Sequence, residues 1–201
     1  MPLAILKSTT EAVKRLRAGH LVIYPTETAY ALGADATNQK ATRKIFQVKS
    51  RNKSKSLSLI VASLAMAEKY AKFSSSAKQL AKKYWPGPLT IVVPAKTKSI
   101  AESVISKDKT VAIRVSSHPL ARLLSQRLRH PLVATSANLS GHSNIYSARS
   151  LKKSFAGAPE TIYLLFGGTL PRRRPSTIVV LKNGKLIVLR QGSIKVKGIR
   201  N

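Results

Sequence analysis

Three cations crowd one short connection. Lys49, Arg51 and Lys55 lie in the run Ile45-Phe46-Gln47-Val48-Lys49-Ser50-Arg51-Asn52-Lys53-Ser54-Lys55-Ser56-Leu57. Like charges this close repel unless an anion sits among them, so the spacing suits a clamp for phosphate groups. Two turns rich in hydroxyls flank it in the chain. Pro25-Thr26-Glu27-Thr28 precedes it, and Ala134-Thr135-Ser136-Ala137-Asn138-Leu139-Ser140-Gly141 follows it. Together they predict one cationic pocket rimmed by hydroxyls. Two more arginines stand at the ends of apolar runs: Arg114 in Val111–Val115, and Arg190 just after Leu186–Leu189. Strand alternation alone lets either arginine face the pocket or solvent.

Other chemistries are poorly served. The chain has no cysteine, which excludes disulfides, a thiolate nucleophile and Cys-ligated zinc. The acids Glu11, Glu27, Asp35, Glu68, Glu102, Asp108 and Glu160 are scattered, and no two are near in sequence. So few oxygen anions argue against an all-protein calcium or two-metal cage, so no metal ligands are assigned. His20, His118, His130 and His142 show neither i,i+4 nor HExxH spacing and read as surface or turn residues. GxxxxGK[ST], GxGxxG and GxSxG are all absent, which sets aside P-loop, Rossmann and hydrolase sites. Aromatic content of 5% leaves little for a base-stacking platform.

The elements that must position these residues alternate. Ser8-Thr9-Thr10-Glu11 reads as a capping box, starting a helix that ends near Gly19. Leu21–Tyr24 reads as a buried strand closed by Pro25, and Gln39–Val48 as a helix with Ala41, Ile45 and Val48 on one face. Leu57–Val61 is a predicted strand. Leu64–Tyr70 and Ala77–Tyr84 are predicted helices, the second capped by Ser76, before Trp85-Pro86-Gly87-Pro88 breaks the chain. Strands over Leu89–Val93 and Val111–Val115 precede a helix over His118–Leu128 with Leu120, Leu123 and Leu124 inward. Leu132–Ala134 leads into the Ser/Asn turn, and a weak helix spans Ser147–Ser154. Strands over Ile162–Phe166, Thr177–Leu181 and Lys185–Leu189 close the chain, the last two joined by the hairpin signal Asn183-Gly184. Pro171-Arg172-Arg173-Arg174-Pro175 has the composition of an exposed loop. The reading is a single α/β domain, residues 1–201, with a twisted, open mixed sheet and flanking helices.

Charge adds a second theme. Thirty-six Lys and Arg against seven Asp and Glu give a formal charge of +29. Such a surface attracts polyanions, nucleic acid first. No apolar stretch reaches the ~18 residues of a membrane span, and Met1–Lys7 is too short for a signal peptide, so the expectation is a cytoplasmic protein without a membrane partner.

These residues, in this order, resemble the YrdC family, in its short TsaC-type threonylcarbamoyl-AMP synthase form. Pro25-Thr26-Glu27-Thr28-Ala29-Tyr30-Ala31-Leu32-Gly33 is similar to the family's PTETVYGLG, and Lys49-Ser50-Arg51 with Lys55 to its KxR stretch. Trp85–Thr90 matches WPGPLT, Val111–Val115 with His118-Pro119 matches VAVRVPxHP, and Ser136–Gly141 matches SANxSG. Pro175–Val179 is similar to PSTVVD and Leu189–Gly192 to LRxG, so the likeness runs over about residues 9–194. Any one motif is weak, but the full ordered set is specific.

The resemblance implies a YrdC-like fold with a basic concave face. It implies a reaction in which L-threonine, bicarbonate and ATP give threonylcarbamoyl-AMP and pyrophosphate. Partner proteins would then carry the threonylcarbamoyl group to adenosine beside the anticodon of tRNA. By position, Thr28, Arg114, Ala134 and Ser176 would contact threonine. Arg51, Lys55, Thr110, Ser136, Asn144 and Arg190 would contact ATP, with Mg2+ carried on its phosphates. Lys49, Arg51, Ser136 and Asn138 complete the signatures assigned to catalysis. The chain departs from the family pattern at Ala29, Ala31, Asn52, Asn144 and Val180, and has apolar Ile60 where longer relatives have His. Two other readings compete: a non-catalytic RNA- or tRNA-binding module, favoured by the charge, and a carbamoyl-transfer domain of the hydrogenase-maturation kind. The latter sits in long chains with zinc-finger cysteines, which this chain lacks.

Overall fold

The structure is a computed structural model that describes residues 3–50, 57–182 and 184–197. The chain opens with a short strand, β1 (Ala4–Leu6), and a helix, α1 (Thr9–Arg17). Ser8 caps α1 by accepting a hydrogen bond from the Glu11 N–H, while the Glu11 carboxylate accepts from the Lys7 N–H in place of closing the expected box on Ser8. A hairpin follows, β2 (Leu21–Pro25) and β3 (Tyr30–Gly33), with the Thr26–Thr28 turn at its tip. Next come α2 (Gln39–Lys49), β4 (Ser58–Ile60), α3 (Leu64–Tyr70) and α4 (Ser75–Tyr84). Then β5 (Leu89–Pro94), β6 (Thr110–Arg114), α5 (Pro119–Leu128), β7 (Leu132–Ser136) and α6 (Ala148–Ser154) lead to β8 (Ile162–Leu165) and the hairpin of β9 (Thr177–Lys182) with β10 (Lys185–Arg190).

The strands form one mixed sheet in the order β1-β8-β2-β3-β7-β4-β6-β5-β9-β10. Its pairings are parallel at β1/β8, β2/β8, β4/β6 and β5/β9 and antiparallel elsewhere. Side chains alternate between two faces. On one face Leu21, Ile23, Leu32, Leu59, Ile91, Ile113 and Val179 pack against α2, α3, α4 and α6 in the larger core. On the other, Val22, Tyr24, Ile60 and Leu132 pack against Ala12, Val13 and Leu16 of α1 and Ala121, Leu124 and Leu128 of α5. This second core contains no residue of β6, β5, β9 or β10. On that side these strands add nothing to the apolar core, and polar side chains there line a cleft.

Most predicted elements are present, with instructive differences. Strands β1 and β3 were not expected: β1 has only three residues, and β3 reads Tyr-Ala-Leu-Gly, with little of the β-branched signal. Gly33 is required inside β3, since a Cβ there would stand 2.5 Å from both the Tyr24 ring and the Val133 carbonyl. Helix α4 is capped by Ser74, which accepts from the Ala77 N–H, rather than by Ser76. The inner face of α5 is Ala121, Leu124, Ser125 and Leu128, whereas Leu120 and Leu123 are only partly buried. Pro119 starts that helix.

Candidate active site

The cleft has a cavity of about 230 Å³ where the tip of the β2–β3 hairpin meets the ends of β6, β7, β9 and β10. Its floor is small. Ser58 on β4 pairs with Ala112 on β6 and with Ala134 on β7, which puts all three on the same face. Thr28, Arg114, Ala134, Ser136, Asn144, Ser176 and Arg190, all singled out in the sequence, line it together. Thr26, Tyr30, Ser58 and Thr90 also line it and were not singled out as site residues. Thr90 carried a signal, as a hydroxyl inside an apolar strand run.

Each wall is locked by local bonds. Thr26 Oγ1 donates to the Ala29 carbonyl at 2.6 Å and accepts from the Thr28 and Ala29 N–H groups, so the turn is held by its own side chain. Thr28 Oγ1 lies 3.1 Å from Thr26 Oγ1. Arg114 is only 6% exposed despite ending a strand, and its Nη1 donates to Glu27 Oε1 at 2.5 Å. That resolves the two orientations left open by alternation. Ser176 Oγ shares a 2.9 Å hydrogen bond with Thr90 Oγ1. Arg190 donates from Nε and Nη2 to the Ser176 carbonyl at 3.1 and 2.9 Å, and from Nη2 to Ser176 Oγ at 3.1 Å. Gly192 lets this segment close up, since a Cβ there would lie 2.1 Å from the Pro175 carbonyl.

The Ser/Asn turn leaves β7 and folds back over the end of α2. Ser136 Oγ donates to Asn138 Oδ1 at 2.6 Å, and Asn138 Nδ2 donates to the His142 carbonyl. Lys49 sits beneath this turn, 1% exposed. Its Nζ donates to the Ser136 carbonyl at 2.5 Å, to the Asn138 carbonyl, and to Asn138 Oδ1 at 3.1 Å. The Lys49 ammonium is thus buried beneath the turn that presents Ser136 and Asn138 and donates to it. Helix α2 ends there because Ser50 takes a left-handed φ of 47°. Arg51 and Lys55 lie outside the described residues.

Thr110 does not line the cavity. It starts β6, four residues before Arg114 and roughly 13 Å away along the strand. Its hydroxyl bonds Asp108 and Ser106, and these two hydroxyls hold the Asp108 carboxyl below its usual range. By alternation Thr110, Ala112 and Arg114 lie on the same face of β6. A larger cavity of about 570 Å³ lies behind α2 between Phe46 and Ile105, but gathers none of the residues singled out from the sequence.

Arg114 and Arg190 bring positive charge to the cleft, and Glu27 pairs with the first of them. Burial and the nearby Arg114 charge both lower the Arg190 pKa, so the two guanidiniums feel each other and favour an anion between them. Burial also lowers the His118 pKa, partly offset by Glu27. Among the described residues no His, Asp or Glu cluster could hold a metal ion. Guanidinium and hydroxyl groups lining such a cleft can bind and orient carboxylate and phosphate, with no paired carboxylates for acid–base work.

An open α/β sheet with such a cleft defines a domain that binds small anionic ligands at the ends of its strands. The Sua5/YciO/YrdC family model, described as "Telomere recombination", matches residues 14–192, and the chain belongs to this family. A threonylcarbamoyl-AMP synthase of Vibrio vulnificus is 37% identical over 191 residues, covering 94% of this chain and 100% of its own. The threonylcarbamoyl-AMP synthase of Pyrococcus abyssi is 36% identical over 185 residues, and the match spans 92% of this chain but only 54% of that longer protein. The crystal structure of Pyrococcus abyssi Sua5 complexed with L-threonine superposes with a TM-score of 0.84 at 33% identity, covering 95% of this chain and 57% of that one. The expected family and the mixed open sheet are both borne out.

Proposed function

We propose that this chain makes threonylcarbamoyl-AMP and pyrophosphate from L-threonine, bicarbonate and ATP. The observation that carries this reading is the convergence of Thr28, Arg114, Ala134 and Ser176 with Ser136, Asn144 and Arg190 in one cleft. The first four are the positions expected to contact threonine, and the other three are among those expected to contact ATP. Relatives that carry the synthase name, one of them matched over its whole length, support the same activity.

All three substrates are anionic or become so. Arg114 would take the threonine carboxylate, with Thr28 and Ser176 orienting the amino acid. Threonine and bicarbonate first condense, with loss of water, to N-carboxythreonine. A carbamate oxygen of that species attacks the ATP α-phosphorus. The new bond is O–Pα, and the bond from Pα to the bridging oxygen breaks to release pyrophosphate. Such a displacement needs alignment and charge neutralisation more than a protein base, which suits a cleft of guanidinium and hydroxyl groups. Arg190, Ser136 and Asn144 would hold the nucleotide, with Arg51, Lys55 and Thr110 extending its contacts. Lys49 and Asn138 act by holding the Ser136 turn in shape. Mg2+ would ride on the ATP phosphates, consistent with a site poor in carboxylates.

The single domain would act in the cytoplasm with tRNA and threonylcarbamoyl-transfer proteins as partners. No helix among the described residues is long and apolar enough to cross a membrane. The charge of +29 keeps a second reading open, a non-catalytic RNA-binding module. Pyrophosphate release measured with each substrate omitted in turn separates the two. The synthase reading expects release only with all three present. Equal release without threonine, or RNA binding with no release at all, defeats it.

A further inference from the structure

Glu27 is an acid buried beside a cleft that otherwise presents cations and hydroxyls, and the mechanism above gives it no role. Its side chain is 6% exposed, in an ion pair with an Arg114 side chain that is 7% exposed. Both carboxylate oxygens are used: Oε1 accepts from Arg114 Nη1, and Oε2 accepts from Ser116 Oγ. Ser116 Oγ in turn accepts from the His118 N–H at the start of α5. The positive end of that helix dipole therefore supports the anion through one serine. Thr26 Oγ1 locks the turn, and Thr26 and Thr28 line the cleft whereas Glu27 between them does not. Glu27 instead lines a separate cavity of about 410 Å³ with Ser117, Arg173 and Arg174.

This arrangement fixes one edge of the Arg114 guanidinium. Among the described residues, no hydrogen bond occupies Arg114 Nε or Nη2. A guanidinium is a planar fork whose two edges can serve different partners. A fork already held by Glu27 loses less freedom when it meets a second carboxylate. Glu27 itself, with both oxygens engaged, is badly placed to touch substrate. Stability alone is a poor account of the pair, because burying two charges costs about as much as their attraction returns.

We propose that Glu27 is a positioning residue that presets Arg114, so that the free edge of its guanidinium selects the α-carboxylate of the amino-acid substrate. This rests on the functional reading above. The test is calorimetric affinity of the full chain for L-threonine, L-threoninamide and ATP, in wild type, Glu27→Ala and Glu27→Gln, with thermal melting alongside. Glu27→Ala should weaken L-threonine binding about 10- to 100-fold, the effect of one lost charge-assisted contact, and leave ATP within about twofold. The preference for L-threonine over L-threoninamide should shrink with it. Glu27→Gln keeps an oxygen for Arg114 and should fall between. If Glu27→Ala does not fold, Glu27→Gln decides: weakened threonine binding with unchanged ATP binding supports the role, and unchanged threonine binding overturns it. Equal losses for threonine and ATP, or a fallen melting temperature with the threonine preference intact, also overturn it. A wild type that binds no threonine defeats the functional reading and this role together. A wild type that binds threonine beside indifferent variants defeats this role alone.

Discussion

Replacing Lys49 with methionine separates bracing the Ser/Asn turn from holding substrate. Methionine keeps most of the buried stem and its packing, so the loss is polar. Among the described residues, three oxygens lose a donor: the Ser136 and Asn138 carbonyls and Asn138 Oδ1. Asn138 Oδ1 keeps the Ser136 hydroxyl, but the two carbonyls are left without this partner in a site that is 1% exposed at Lys49. An unsatisfied buried acceptor costs about 1–3 kcal/mol, and relief from burying the ammonium offsets part of the sum. A net loss of about 3 kcal/mol is expected. In a chain of this size that lowers the melting temperature by roughly 6–12 °C. The assay is thermal or urea unfolding of Lys49→Met, with pyrophosphate release measured well below the transition. Turnover should fall, because Ser136 and Asn138 are no longer held at the cleft wall. Unchanged stability with abolished turnover refutes the bracing role and returns Lys49 to direct contact with substrate.

Ser176→Ala should raise the threonine constant about tenfold or more, the cost of one hydrogen bond to a charged group. The ATP constant should move little, because Arg190 keeps both bonds to the Ser176 carbonyl. A shift in the ATP constant alone refutes this placement, whereas Arg172→Ala, in an exposed loop, should leave both near wild type. His118 is held neutral by burial, so between its lowered folded value and its ordinary value near 6.5 the unfolded chain binds more protons. Stability from this group is present above about pH 6.5 and is lost as the pH falls below it; His118→Gln should flatten that part of the unfolding profile, and identical slopes refute the assignment. Binding of tRNA should fall steeply with salt, with a similar affinity for unrelated RNA, because exposed cations neutralise phosphates without reading bases. Salt-independent, sequence-selective binding would reveal a recognition surface not accounted for here.

Much of the site could be read from residue types and order. Arg114 and Arg190 stood out as charges at the ends of apolar runs, and Thr28 and Ser136 as hydroxyls in turns beside strands, whereas Ser176 came only from the family resemblance. The helix cap at Ser8 follows from local hydrogen-bonding chemistry, which needs only a few neighbouring residues. Strand β3 escaped because its Tyr-Ala-Leu-Gly run owes its extended form to β2 and β7 on either side, not to its own propensities. Lys49 shows the same limit more sharply. Its type and its place beside Arg51 suggested a phosphate clamp, but sequence gives neither depth nor direction. The fold brings a turn from 87 residues further along over the end of α2, and its carbonyls take the ammonium. The Glu27–Arg114 pair likewise joins residues 87 positions apart, and neither side chain names its partner in the sequence. Sequence determined which groups could meet an anion, because charge and hydrogen-bonding capacity belong to the side chain. Tertiary structure alone decided which of them face the cleft and which hold the others in place, because burial and partnership depend on strand order and on which strands α1 and α5 pack against.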